Sequence, residues 1–131
     1  MARILVIDDD PDTRELLEQM LKGAGHQVSL AADGSEGVKQ FCANPADLVI
    51  TDLYMPGQEG IETIMQLRRH FPESAILAIS GRIAAETMLL VARKLGAVAT
   101  LQKPFVADEL LASVERALRG DAQGGLPRHA G

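Results

Sequence analysis

The chain has 131 residues, which favours a single domain with a sizeable apolar core, and 47% hydrophobic residues supply that core. A net charge of −5, a pI near 5.1 and the lack of any basic cluster argue against a direct grip on nucleic acid, whose phosphates need Lys- and Arg-rich patches. Cys42 is the only cysteine, so no internal disulfide forms; no apolar stretch approaches the roughly 20 residues that span a bilayer, and Met1-Ala2-Arg3 carries no secretory pattern, so a cytoplasmic protein is expected.

Apolar runs alternate with helix-period segments. The first run, residues 3–7, ends in Asp8-Asp9-Asp10. Asp10 suits a helix N-cap with Pro11 at the first helical position; Leu16, Leu17, Met20 and Leu21 form the apolar face, and Gly23 and Gly25 stop the helix. Residues 27–31 alternate polar and apolar, as an edge strand does. Val38, Phe41 and Cys42 mark a second helix, ended by Pro45. The run 47–51 leads into Asp52, and a third helix carries Ile61, Ile64, Met65 and Leu67 and ends before Pro72. The run 75–79 leads into Ser80. Residues 83–95 predict an unusually apolar fourth helix, stopped by Gly96. The run 98–101 leads into Lys103, and Leu110, Leu111, Val114, Ala117 and Leu118 line a fifth helix ended by Gly120. Residues 121–131 read as a flexible tail after a domain spanning 1–120.

Five β-α units predict an α/β fold: a doubly wound, five-stranded parallel sheet with five helices, flavodoxin-like in type. In the strand order 2-1-3-4-5, the first and third strands flank the switch point, where such sheets place their chemistry. That order brings Asp8 and Asp9 beside Asp52, with Ser80 and Lys103 approaching from the other side. A lone Asp after a strand is usually a cap or turn residue. Five suitable residues at converging strand ends point to a site instead. Clustered carboxylates suit Mg²⁺, a hard cation that prefers oxygen ligands, and one carboxylate can serve as a nucleophile in phosphoryl transfer.

The segments Val6-Ile7-Asp8-Asp9-Asp10, Ile50-Thr51-Asp52-Leu53-Tyr54-Met55-Pro56-Gly57, Gly60, Ile79-Ser80-Gly81 and Gln102-Lys103-Pro104-Phe105 together resemble the receiver domain of two-component response regulators, in a single-domain form similar to the chemotaxis regulators. The resemblance covers residues 3 to about 119. It implies Asp52 as phosphoacceptor, and Mg²⁺ (or Mn²⁺) held by Asp8, Asp9, Asp52 and the backbone carbonyl of Tyr54. It further implies Ser80 and Lys103 as phosphate contacts and a cis bond before Pro104. The phosphoryl group would come from a sensor histidine kinase or a phosphotransfer protein. Output would pass to a protein target through the face built from the fourth helix, fifth strand and fifth helix, where the apolar excess of the fourth helix, including Met88, suits a partner or a second copy.

Two departures bear on the switch. Relatives usually carry an aromatic residue three places before the lysine; here it is Thr100. That implies an activated state that differs from the usual one or couples weakly to phosphorylation, although a β-branched residue equally suits a strand there. Tyr54 and Arg82, two residues after Asp52 and Ser80, occupy positions that tune phosphate loss in relatives, and a bulky Tyr54 would slow it. His26, His70 and His129 show no ligand spacing and read as surface residues.

The expected role is phosphorylation-dependent signalling without an attached output domain and without enzymatic activity beyond self-phosphorylation and autodephosphorylation. A phosphorelay intermediate and a phosphate-independent scaffold remain as alternatives. A haloacid-dehalogenase-type phosphatase needs a second acid two residues after the nucleophile, where Tyr54 stands. A flavin binder needs a phosphate-cradling loop where Asp8-Asp9-Asp10-Pro11 stands.

Overall fold

The computed structural model describes residues 1–53, 59–81 and 85–120, with backbone alone at residue 59 and residues 85–89. Ten elements alternate: β1 (Arg3–Ile7), α1 (Pro11–Gly23), β2 (Gln27–Ala31), α2 (Gly34–Ala43), β3 (Leu48–Asp52), α3 (Glu59–His70), β4 (Ile76–Ser80), α4 (Ala85–Lys94), β5 (Ala99–Gln102) and α5 (Ala107–Arg119). All strand pairs are parallel, in the order β2-β1-β3-β4-β5. The expected fold class and strand order are borne out. The tail at 121–131, the helix start at residues 83–84 and the Met88 side chain lie outside the described residues.

The sheet is covered on both faces because its central strands are apolar on both. Ile4 and Val6 of β1 pack with Leu17 and Leu21 of α1 and Leu110 and Val114 of α5. Leu5 and Ile7 face the other way, with Phe41 of α2, Ile64 and Leu67 of α3 and Ala92 of α4. Alternation along a strand with period two, combined with continuous hydrophobicity, produces this two-sided core. Strand β2 at the edge exposes Gln27 and Ser29, as its alternating sequence predicts.

Helix entry sets the loops that border the strand ends. Asp10 caps α1, its side chain accepting from the Asp12 N–H, with Pro11 at the start. Asp33, not singled out from sequence, caps α2 by accepting from the Glu36 N–H at 2.8 Å. Gly60 allows α3 to begin against the end of β3: a Cβ there would lie 2.6 Å from the Leu53 Cα.

Three residues placed on core faces prove exposed: Leu16 at 47%, Met65 at 44%, and Cys42. Each directly follows or precedes a fully buried partner, Leu17, Ile64 or Phe41, and a step of one residue turns about 100° around a helix. A helix on a sheet buries a narrower stripe than the sequence pattern suggested. His26 also departs from a surface role: it is half-buried and its Nδ1 accepts from the Ala2 N–H at 3.1 Å.

Candidate functional site

The chemistry-bearing residues collect where β1, β3, β4 and β5 end. Register aligns Ile7 with Thr51, Asp52 with Ile79 and Ser80 with Gln102, so Asp8, Asp52, Ser80 and Lys103 come level along one edge of the sheet. Carboxylate oxygens of Asp8, Asp9 and Asp52 lie within 4.8 Å of one another. Asp8 and Asp52 are buried and Asp9 is exposed. Lys103 reaches across from the end of β5, its Nζ 3.1 Å from Asp52 Oδ2 and 3.7 Å from Asp8 Oδ2. The Lys103–Pro104 peptide bond is cis, and the Lys103 N–H donates to the Ser80 carbonyl at 2.8 Å.

The acidic loop is tied down locally. The Asp8 N–H donates to the Ala31 carbonyl at 3.1 Å, and Asp8 Oδ1 accepts from the Asp10 N–H at 2.9 Å. Asp10 accepts from the Thr13 hydroxyl at 2.8 Å, which, with the Asp12 N–H, holds its carboxyl below the usual carboxylate range. Burial pushes the Asp8 carboxyl the other way, up to about 6. The charge on Asp52 adds to that rise, while the Asp10 N–H and the Lys103 ammonium oppose it.

Three acids and one lysine leave excess negative charge in a partly buried place. Oxygen donors of this kind fit a hard divalent cation and not a thiophilic metal. The Ser80 hydroxyl adds a second indication. It is buried and has no hydrogen-bond partner among the described residues. Such a group is costly unless a ligand satisfies it. Thr100 is buried within β5, level with Ala78 of β4. Tyr54 and Arg82, expected beside the site, lie outside the described residues.

One contributor escaped the sequence reading. Arg14, one turn into α1, donates from Nη1 to the Asp8 carbonyl at 2.6 Å. The available signal was its position four residues after the cap Asp10, as a lone cation among acids.

Residues 4–115 match the response regulator receiver domain family. The chain belongs to that family. It is 38% identical over 118 residues to the response regulator MprA of Mycobacterium sp. (strain KMS), covering 90% of this chain and 51% of MprA. It is 35% identical over 131 residues to the DNA-binding transcriptional regulator NtrC of Azospirillum brasilense, covering 99% of this chain and 27% of NtrC. The receiver thus spans about half or less of these curated relatives. A receiver domain protein from Clostridium thermocellum superposes with a TM-score of 0.83 at 30% identity, covering 91% of this chain and 95% of that one. Its family makes this receiver a module of two-component signalling.

Proposed function

We propose that this receiver takes a phosphoryl group onto the Asp52 carboxylate from a histidine kinase or phosphotransfer protein, with Mg²⁺ or Mn²⁺ held by Asp8, Asp9, Asp52 and the Tyr54 carbonyl. The observation that carries the reading is the convergence of three carboxylates and Lys103 at the strand ends, level with a buried Ser80 hydroxyl that has no partner among the described residues. A carboxylate oxygen of Asp52 forms the new O–P bond as the donor's P–N bond breaks, the electron pair leaving with the imidazole nitrogen. The bound cation supplies neutralisation of charge on the phosphoryl oxygens. Lys103 pairs with the developing negative charge, and the Ser80 hydroxyl donates to a phosphoryl oxygen. Its chemistry stops at gaining and losing this group, with Tyr54 and Arg82 tuning the loss.

Phosphorylation then changes partner binding on the face of α4, β5 and α5. Exposed Leu90 (52%) and Val91 (38%) support that surface, for a downstream protein or a second copy. Thr100, smaller than the usual aromatic switch residue, couples the two sites differently from relatives. No described helix is long and apolar enough to cross a membrane. The acidic charge supports a module without direct nucleic-acid contact, and membership of the receiver family supports a cytoplasmic place.

Intact-mass spectrometry after incubation with acetyl phosphate and Mg²⁺ tests the acceptor. One added phosphoryl group is expected, absent in Asp52→Asn and absent when the cation is chelated. An adduct that persists in Asp52→Asn rejects the assignment. Ser80→Ala separates binding from stability. Removing an unpartnered buried hydroxyl is expected to leave the resting protein equally stable or about 1 kcal/mol more stable. The same change should weaken binding of the phosphoryl mimic beryllofluoride by about 10-fold, the worth of one hydrogen bond to a charged group. Titration of both proteins with beryllofluoride checks it.

A further inference from the structure

Arg14 sits among Asp8, Asp9, Asp10, Asp12 and Glu15, yet among the described residues it forms no ion pair with any of them. Its guanidinium is spent on a backbone carbonyl instead. Nη1 donates to the Asp8 carbonyl at 2.6 Å, and the Arg14 backbone N–H donates to the Asp10 carbonyl at 3.0 Å. One residue therefore holds the chain on both sides of Asp9, the exposed member of the acid trio.

That placement has a consequence for the acids. Like charges within 4.8 Å repel, and a short loop relieves the repulsion by splaying. Asp8 is restrained by burial and by the neighbouring strand, through its N–H to Ala31. Asp9 has no such wall. A guanidinium bound to a carbonyl fixes the loop path without itself occupying a carboxylate oxygen. Had Arg14 paired with a carboxylate, it would compete with the cation for the same lone pairs.

We propose that Arg14 is a positioning residue for the divalent-cation site, holding the loop 8–10 in ligating geometry through the Asp8 carbonyl. The inference rests on the cation site proposed above and names a residue that the acidic motif does not contain. Groups that orient ligands from outside the ligand set are typically worth about 10- to 100-fold in metal affinity.

The test is titration of the unphosphorylated, ¹⁵N-labelled protein with Mg²⁺, followed by NMR, so that no phosphotransfer is needed. Arg14→Ala is expected to bind Mg²⁺ about 10-fold more weakly than wild type. Arg14→Lys, which keeps one donor within reach of the carbonyl, should recover part of the loss. Leu21→Val trims a buried side chain at the far end of α1. It should lower the melting temperature without moving Mg²⁺ affinity, a split that general loosening of α1 would not give. Equal or tighter Mg²⁺ binding by Arg14→Ala overturns the proposal, and so does an equal loss in Leu21→Val. Wild type that binds no Mg²⁺ at all overturns the cation site itself, and Arg14 with it.

Discussion

Asp8→Asn is expected to stabilise the metal-free receiver at pH 7 while removing its response to Mg²⁺. Burial raises the Asp8 carboxyl from 3.8 to about 6, so the folded protein holds this proton more tightly than the unfolded chain. Between those values the native state binds more protons, and stability therefore falls as pH rises through the window. At pH 7 the full penalty is present. A rise of about two pKa units corresponds to about 3 kcal/mol, and that net rise already includes the opposing attraction of Lys103. For a domain of this size that is a rise of roughly 10 °C in melting temperature. The difference between wild type and variant should vanish below about pH 4, where both side chains are neutral. Calorimetry across this range, with and without Mg²⁺, reads both halves. Mg²⁺ should raise the wild-type melting temperature, and progressively less as pH falls through about 6, because protons compete for Asp8. An unchanged melting temperature in metal-free Asp8→Asn would mean that ionised Asp8 is not penalised by its burial.

The same residues explain how much could be read before the fold was known. The five-unit alternation was legible because doubly buried strands are continuous in Val, Ile and Leu, and the strand order came with the doubly wound class that such alternation implies. Strand ends were less so. The expected runs 47–51, 75–79 and 98–101 became Leu48–Asp52, Ile76–Ser80 and Ala99–Gln102, each displaced by one residue toward the C-terminus. Hydrophobicity stops at Thr51, Ile79 and Leu101, whereas the hydrogen-bond ladder continues through one polar residue more. Those extra residues are Asp52 and Ser80 of the candidate site and their neighbour Gln102. Function breaks the apolar pattern where the sheet still needs a rung, so a hydropathy reading ends each strand too soon. The acid trio was visible because its members follow apolar runs. Arg14 was not, because its bond to the Asp8 carbonyl depends on how a helix turns back over the loop it leaves.

Lys103→Met should split two properties that the site otherwise joins. In the resting protein the ammonium lies 3.1 Å from Asp52 and 3.7 Å from Asp8, and its side chain is 28% exposed. It is the cation that the acidic trio already has. Removing it leaves three carboxylates with less compensation, so Mg²⁺ binding becomes tighter, because the ion no longer meets a fixed positive charge beside its ligands. Phosphorylation should move in the opposite direction. Lys103 is preorganised where negative charge accumulates during transfer to Asp52, and removal of one such group typically costs about 10²-fold in rate. Methionine preserves most of the stem, so the packing of Lys103 against Gly81, where an added Cβ would lie 2.7 Å from the Lys103 Cβ, is retained. A Mg²⁺ titration and the rate of phosphorylation by acetyl phosphate at saturating Mg²⁺ measure the two effects separately. Weaker Mg²⁺ binding and slower phosphorylation together would instead indicate a pocket that collapses without the lysine. Tighter binding with an unchanged rate would remove Lys103 from the transfer step and leave it as a resting-state counter-ion.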